Sequence, residues 1–174
     1  TGEYDHTGDC MIYGDTDSCY FSAYPTLKGE IDAGNIPWDK DNVITLYDQV
    51  CEAANTTFPG FMLEAFHCPK SRSDVIAAAR EIVAQSGLYI TKKRYAALVY
   101  DIEGFRSDTD GKPGKVKAMG LDLRRSDTPV FMQQFLSEIL LMVLTDVPQE
   151  EVLERITVFR KEFDDRPGWE KGSP

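Results

Sequence analysis

Hydrophobic and aromatic positions near the start of the chain predict a β-hairpin. Two β-prone runs rich in aromatic residues cover residues 10–24, and a short Gly-Asp-Thr-Asp segment separates them. Small and acidic residues of this kind favour the tight turn between two antiparallel strands. A polar loop is expected next, because glycine and proline recur over the following residues: Pro25, Gly29, Gly34 and Pro37.

Apolar residues that recur every three or four positions predict two helices in the middle of the chain. The first has an apolar face that consists of Val43, Tyr47, Val50 and Ala54. Asp41 or Asn42 is expected to cap it. The second is predicted from about Asp74 to Ser86, with Ser73 as its cap and Gly87 at its end. Its apolar face consists of Val75, Ile76, Ala79, Ile82 and Val83.

Strands and then helices are predicted in the second half of the chain. One strand covers residues 88–91, and a second covers residues 96–102. A glycine-rich loop leads into a third strand, residues 115–119. Two helices follow, and they begin at Thr128-Pro129 and at Pro148. The order hairpin, helices, strands, helices lacks the strand–helix alternation of a doubly wound sheet, so it favours an α+β fold with a helical C-terminal segment.

Composition is that of a globular protein. The chain has 174 residues, of which 42% are hydrophobic and 28% are charged, so a substantial core is expected. The longest apolar run, residues 139–144, is far too short to cross a bilayer, and we therefore expect a soluble protein. Four cysteines and two histidines show no zinc-binding spacing, which favours a reduced, intracellular environment.

The distribution of charge is uneven. The net charge is −10, which on its own argues against a nucleic-acid partner. Residues 92–125, however, carry nine basic and five acidic side chains, whereas the remainder carries ten basic and 24 acidic ones. This stretch is either a solvated basic face or a site for an anion.

Asp15 and Asp17 form the most informative acidic pair. Two acids separated by one residue at the tip of a hairpin can hold their carboxylates close together, and a hard divalent cation relieves the resulting repulsion. Acidic residues also occur in turns without any ligand. A calcium EF-hand is excluded, because the sixth and twelfth positions counted from Asp15 are Tyr20 and Thr26 instead of glycine and glutamate.

The segment Tyr13-Gly-Asp-Thr-Asp-Ser18 resembles the signature of family B (polymerase alpha-like) DNA polymerases. In that family the hairpin belongs to the palm domain, and its aspartates help to hold two catalytic Mg²⁺ ions. The resemblance implies that Asp17 binds metal most directly and that Asp15 shapes the charge of the site. Both residues are therefore predicted to be catalytic metal ligands.

The run Lys92-Lys93-Arg94-Tyr95 is similar to a second family B signature, Lys-Lys-x-Tyr, which grips the primer–template duplex. By this resemblance Lys93 reaches the minor groove, Lys92 and Arg94 provide backbone contacts or support, and Tyr95 steadies the primer end. A basic turn of this kind also discourages edge-to-edge pairing of strands, and that alternative stays open.

Residues 115–129 resemble the junction between palm and thumb, especially in the tailed-phage branch of the family. The resemblance implies phosphate contacts from four further residues: Lys115, Lys117, Arg124 and Arg125. A helix that begins at Thr128-Pro129 also presents backbone N–H groups that favour an anion. Residues 1–120 are then the C-terminal part of the palm domain, and residues 121–174 are the N-terminal part of the thumb domain.

The expected function is part of a DNA-directed DNA polymerase, which transfers a nucleotide from a dNTP to a primer 3′-OH with two Mg²⁺ ions. Two family motifs are missing from the sequence: the Asp-x-x-Ser-Leu-Tyr-Pro type that supplies another metal-binding aspartate, and the Asn-Ser-x-Tyr-Gly type that holds the nucleotide. The chain begins with Thr1, which suggests an excised piece or one part of a naturally split polymerase.

Several partners follow from this interpretation. We expect primer–template DNA, dNTP and an N-terminal polymerase part with the remaining palm, fingers and exonuclease, but no membrane. The isolated chain should be inactive, and it should self-associate or be stable only with its missing part. A cytoplasmic location is expected, in an infected bacterial host if a phage encodes the chain. The alternatives are a non-catalytic DNA-binding module derived from a polymerase and, more distantly, a fragment of an Asp-x-Asp glycosyltransferase.

Overall fold

A computed structural model describes residues 10–73, 75–121, 123 and 127–172. The chain divides into two compact units between Glu81 and Ile82. Both units combine helices with antiparallel strands, which confirms the α+β class predicted from the sequence. The predicted boundary between palm and thumb after residue 120 stays a prediction.

The first unit contains the predicted hairpin and begins with it. Strand β1 (Met11–Asp15) pairs with strand β2 (Ser18–Phe21) in antiparallel orientation. The prediction of a polar loop after the hairpin is wrong, because helix α1 (Tyr24–Asp32) occupies most of the segment from Pro25 to Pro37. Proline lies in the first turn of this helix, where its missing N–H breaks no intrahelical hydrogen bond.

Helix α2 (Lys40–Phe66) supports the hairpin. Its cap is Asp39, not Asp41 or Asn42 as predicted, and the Asp39 carboxylate accepts hydrogen bonds from the backbone N–H groups of both residues. From the second turn of α2, Tyr47 packs edge-on against Phe21 of β2, with ring centroids 5.3 Å apart.

The prediction of a helix from about Asp74 to Ser86 is wrong. Residue 74 itself lies outside the described residues. After a short 3₁₀ turn (Lys70–Arg72), residues 75–81 are irregular, and a strand begins at Ile82. Asn55 of α2 exchanges two hydrogen bonds with the backbone of Ala78, at 2.9 and 2.6 Å. These two bonds hold the backbone of Ala78 in a non-helical conformation, so tertiary contacts override the helical spacing of the apolar residues.

In the part of the second unit that the structure describes, the strands form a four-stranded antiparallel sheet. It consists of β3 (Ile82–Thr91), β4 (Arg94–Ile102), β5 (Phe105–Arg106) and β6 (Lys115–Met119). Strand β4 is central and pairs with the three others. The three strands predicted in this region are confirmed, although β3 begins six residues earlier than the predicted start at Leu88.

Among the described residues of the second unit, three helices accompany the sheet: α3 (Val130–Leu144), α4 (Gln149–Asp165) and α5 (Gly168–Lys171). The predicted helix starts near Pro129 and Pro148 are confirmed. Ala96 and Leu98 of β4 form a buried core with Leu144 of α3. Of the helices that the structure describes, none is both long enough and apolar enough to span a lipid bilayer.

Candidate metal and nucleic-acid site

The tip of the β1–β2 hairpin carries both predicted acids. Asp15 is the last residue of β1 and pairs with Ser18, the first residue of β2. Thr16 adopts a left-handed backbone conformation with φ of 50°, and Asp17 completes the turn with an exposed side chain. The hydroxyl of Ser18 donates to the backbone carbonyl of Asp15 at 3.2 Å and closes the turn. The structure therefore brings Asp15 and Asp17 to one bend, as predicted.

The two carboxylates have different surroundings. Asp15 is partly buried, and both of its oxygens accept hydrogen bonds: Thr16 Oγ1 donates to Oδ1 at 3.2 Å, and the Tyr13 hydroxyl donates to Oδ2 at 3.5 Å. Asp17 is exposed to solvent. Asp15 is thus oriented by its own strand, whereas Asp17 is open to a ligand from outside.

Aromatic side chains stiffen the stalk below these acids. Tyr13 of β1 and Tyr20 of β2 are register partners, and their ring centroids lie 6.0 Å apart. The Tyr47 hydroxyl of α2 accepts a hydrogen bond from the backbone N–H of Ala23 at 3.3 Å, just beyond the end of β2. Because the Tyr13 and Tyr20 rings pack across the two strands and α2 contacts the end of β2, the bend has a fixed support.

The donor set at the bend suits a hard cation. Carboxylate oxygens are the ligands that Mg²⁺ prefers, and Mg²⁺ usually takes only one or two carboxylates and completes its coordination with water and phosphate oxygens. Within the described part of the chain, no group of three or more His, Cys, Asp or Glu side chains is assembled as a metal centre. Asp15 and Asp17 therefore fit as part of a magnesium site whose other ligands come from elsewhere.

A basic turn (Lys92, Lys93 and Arg94) joins β3 to β4 in the second unit. Thr91 pairs with Arg94, so Lys92 and Lys93 form a two-residue connection, and Lys93 adopts a left-handed conformation with φ of 61°. All three basic side chains are exposed. The turn thus presents three cations at one end of the sheet.

Tyr95, the fourth residue of the predicted grip, is buried. Its side chain is 3% exposed, and its ring stacks on Tyr89 of β3 with centroids 5.6 Å apart and planes 21° apart. The ring supports the start of β4 beside the basic turn. A contact of Tyr95 with a primer end stays a prediction.

Strand β6 adds two lysines to the same face of the sheet as Tyr95. Lys117 pairs with Ala97 and Lys115 pairs with Val99, while Met119 pairs with Tyr95. Directly opposed residues of antiparallel strands share a face, so these positions lie on the side opposite to the Ala96–Leu98 core. Arg124 and Arg125 lie outside the described residues.

Two of the five acids in the basic stretch are withdrawn from the surface. Asp101 is buried, and its carboxylate accepts a hydrogen bond from the backbone N–H of Gly104 at 3.0 Å. Asp108 forms a two-pronged ion pair with Arg106, at 2.8 and 2.9 Å. Both acids are thus engaged by local partners within the second unit.

The sequence interpretation placed Gly120, which follows β6, in the segment that resembles the junction between palm and thumb, but it assigned this glycine no role of its own. Arg94 Nε donates a hydrogen bond to the carbonyl oxygen of Gly120 at 3.1 Å. The local signals were a glycine directly after a predicted strand and its place in that junction segment, and neither indicates Arg94, which lies 26 positions earlier in the chain. Strand pairing alone brings the two together.

Comparison with known proteins supports a relationship to DNA polymerases. No protein-family model matches the chain. An alignment over 146 residues, 78% of the chain, is 29% identical to the DNA-directed DNA polymerase of Escherichia phage RB69. The chain spans only 15% of the length of that relative. The chain is thus related to a phage DNA-directed DNA polymerase.

Proposed function

We propose that the chain is a segment of a family B DNA-directed DNA polymerase that contributes metal ligands and duplex contacts to template-directed nucleotidyl transfer. The observation that carries the proposal is the position of Asp15 and Asp17 at one braced bend. The similarity to a phage DNA polymerase supports the same reaction class. In this proposal residues 1–120 belong to the palm domain and residues 121–174 to the thumb domain.

Asp15 and Asp17 have separate roles in the proposed metal site. The exposed carboxylate of Asp17 is a direct ligand, and Asp15, oriented by Tyr13 and Thr16, sets the negative charge beside it. When bound, two Mg²⁺ ions would offset the charge on the phosphate oxygens and activate the primer 3′-OH. The acids supply charge and orientation, and their rigid support limits reorganisation when the substrate binds.

The basic turn and β6 hold the primer–template duplex. Lys93 contacts minor-groove acceptors, and Lys92, Arg94, Lys115 and Lys117 contact the phosphate backbone or support the turn. Minor-groove acceptors are nearly the same for every correct base pair, so a contact there suits an enzyme that copies any sequence. Arg124 and Arg125 are proposed as further phosphate contacts, and Tyr95 as the buried support of the turn near the primer end.

The remaining parts of the active site come from a partner segment. The chain spans 15% of its polymerase relative, and the bend supplies two carboxylates. We propose that an N-terminal part supplies the third metal-binding carboxylate, the dNTP-binding side chains and the exonuclease, and that the chain is inactive alone. Met11 and Ile12 of β1 are 57% and 51% exposed, and they offer an apolar edge to that part or to a second copy. The complex would act in the cytoplasm of an infected bacterium.

Primer extension tests this proposal. The chain is mixed with its complementary N-terminal part, Mg²⁺, a primer–template and dNTP, and we expect extension that neither part gives alone. Asp17→Asn should abolish extension and leave duplex affinity nearly unchanged, because it removes a ligand without changing the shape of the bend. Asp146→Asn, at an exposed turn after α3, is the matched control. Extension by the Asp17→Asn complex at the rate of the unsubstituted complex would refute the proposal.

Manganese binding provides a second test that is independent of turnover. In the assembled, DNA-loaded protein, Mn²⁺ should broaden the NMR signals of residues 15–18 through its unpaired electrons, and Asp17→Asn should reduce this effect. Signals at the bend that do not respond to Mn²⁺ would contradict a metal site there.

A non-catalytic DNA-binding module is the second candidate. The observation that favours it is the exposed basic turn, which can bind a duplex whether or not the hairpin binds a metal. Under this alternative Asp17→Asn changes neither DNA binding nor any other activity, so the same variants discriminate between the two.

A further inference from the structure

Gly120 packs against the backbone of the basic turn. It follows Met119, the residue that pairs with Tyr95, and so it lies beside the point where the turn enters β4. A Cβ atom at this position would overlap the carbonyl oxygen of Lys93 and would lie 3.0 Å from Cγ of Arg94. Gly120 also has φ of +65°, a conformation that side chains other than glycine rarely adopt. Position 120 therefore favours glycine for two reasons: the backbone has a positive φ, and an added Cβ would have no room.

Arg94 completes a second contact between the same two segments. Its Nε donates to the Gly120 carbonyl at 3.1 Å, while its own backbone pairs with Thr91 across the turn. Lys93, which directly precedes Arg94 in the turn, has a φ of 61°. This left-handed conformation costs energy for a lysine, and it persists only where the surrounding structure holds it. Gly120 thus packs against one side of the turn, and the Arg94 side chain forms a hydrogen bond with the backbone of Gly120.

We propose that Gly120 and Arg94 form a latch that fixes the basic turn in the conformation in which Lys92 and Lys93 contact DNA. Gly120 is then a positioning residue that touches no DNA, and the first role of the Arg94 side chain is to hold Gly120. This inference rests on the proposed function for its DNA-binding role. The latch itself is a property of the free chain and can be tested without DNA.

Two substitutions disrupt the contact between Gly120 and the basic turn in different ways. Gly120→Ala introduces the Cβ that overlaps the Lys93 carbonyl. Arg94→Lys keeps the positive charge but places a methylene where Arg94 has Nε, so the bond to Gly120 is lost. Gly111→Ala is the matched control, because Gly111 has a similar φ of +74° and nothing within 4 Å of an added Cβ.

The first experiment follows the turn in the free chain. Backbone NMR shifts and amide-exchange rates of residues 91–95 are measured for the unsubstituted chain and the three variants. We expect exchange about tenfold faster or more in Gly120→Ala and Arg94→Lys, and no change at these residues in Gly111→Ala. Unchanged shifts and exchange in both latch variants would overturn the latch. If Gly120→Ala fails to fold, Arg94→Lys decides this point.

The second experiment measures binding of the full chain to a fluorescent duplex as a function of salt. Gly120→Ala and Arg94→Lys should each weaken binding about tenfold and flatten the salt dependence, whereas Gly111→Ala should stay within about twofold. In a chain that already carries Lys92→Gln and Lys93→Gln, Gly120→Ala should cause no further loss, because it acts through those lysines. A purely structural role would give the same loss in both backgrounds, and that result would overturn the positioning role.

The outcomes separate this inference from the proposed function. If the unsubstituted chain does not bind the duplex, the proposed grip fails, and the DNA role of the latch fails with it. If the chain binds the duplex and Gly120→Ala and Arg94→Lys bind it equally well, the role of the latch in positioning the lysines for DNA is refuted, and the proposed grip is not.

Discussion

Tyr89 and Tyr95 lie directly opposite each other on β3 and β4, and their rings stack with centroids 5.6 Å apart. The Tyr89 ring also lies over Gly87, where an added Cβ would come within 2.7 Å of Cε2 of the ring. The two stacked rings thus pack over Gly87, which leaves room for the Tyr89 ring because it has no side chain. This packing lies at the end of the sheet that carries the basic turn. This pair anchors the first residues of β4 behind Arg94.

The stack predicts a loss of stability at alkaline pH. Burial, and then the proximity of Tyr95, raise the pKa of Tyr89 to about 12, because both disfavour the phenolate. The unfolded chain ionises this tyrosine near its ordinary pKa of 10, so the stability that it contributes is complete below that pH and falls as the pH rises from 10 to about 12. Urea unfolding over this range should show the decline, and Tyr89→Phe should reduce it. An absorbance titration in which Tyr89→Phe removes a tyrosine that ionises near pH 10 would contradict the prediction.

The lysines of β6 should contribute to DNA binding through charge. Lys115→Gln and Lys117→Gln should each reduce the slope of log affinity against log salt by about one, because each removes one phosphate contact. Lys161→Gln on α4 is the control, since it removes an exposed lysine outside the basic stretch and should leave the slope unchanged. The measurement is fluorescence anisotropy of a labelled duplex at several salt concentrations. Slopes for Lys115→Gln and Lys117→Gln that both equal the slope of the control would exclude the β6 lysines from the interface.

The cap of α2 should determine part of the stability of the first unit. Asp39→Ala removes the acceptor for two backbone N–H groups and should lower the melting temperature by about 2–4 °C, whereas Asp39→Asn should retain most of the capping. Hydrogen bonds from Asn42 hold the pKa of Asp39 below its ordinary value. The stabilising effect is therefore present above the ordinary carboxyl pKa and is lost as the pH falls through the lowered one. Melting curves by circular dichroism at neutral and acidic pH check both statements.

The core of the second unit should be sensitive at Leu98. Its side chain is fully buried and packs with Ala96 and Leu144, so Leu98→Ala should lower the free energy of unfolding by about 2–5 kcal/mol. Leu153→Ala, at a side chain that is 52% exposed on α4, should change it by no more than about 0.5 kcal/mol. Denaturant titrations of the two variants provide the comparison. Similar losses for both would mean that the sheet does not contain the main core.

The hairpin and its acids could be predicted because their signals are local. Gly14, Asp15 and Asp17 lie within four residues, and the preference of such residues for a tight turn needs no distant partner. The helix starts near Pro129 and Pro148 were predictable for the same reason, since proline at a helix start acts on its own turn. The position of the candidate metal ligands therefore followed from neighbouring residues alone.

The tertiary structure decided the features that depend on partners far along the chain. Apolar residues from Val75 to Val83 fit a helix by their spacing, but pairing with β4 and the side chain of Asn55 select an irregular segment and a strand. The burial of Tyr95 and the contact between Gly120 and Lys93 also arise only when β3, β4 and β6 come together. Turn and cap preferences act over a few residues, whereas strand pairing and close packing join residues whose separation in the sequence carries no local signal.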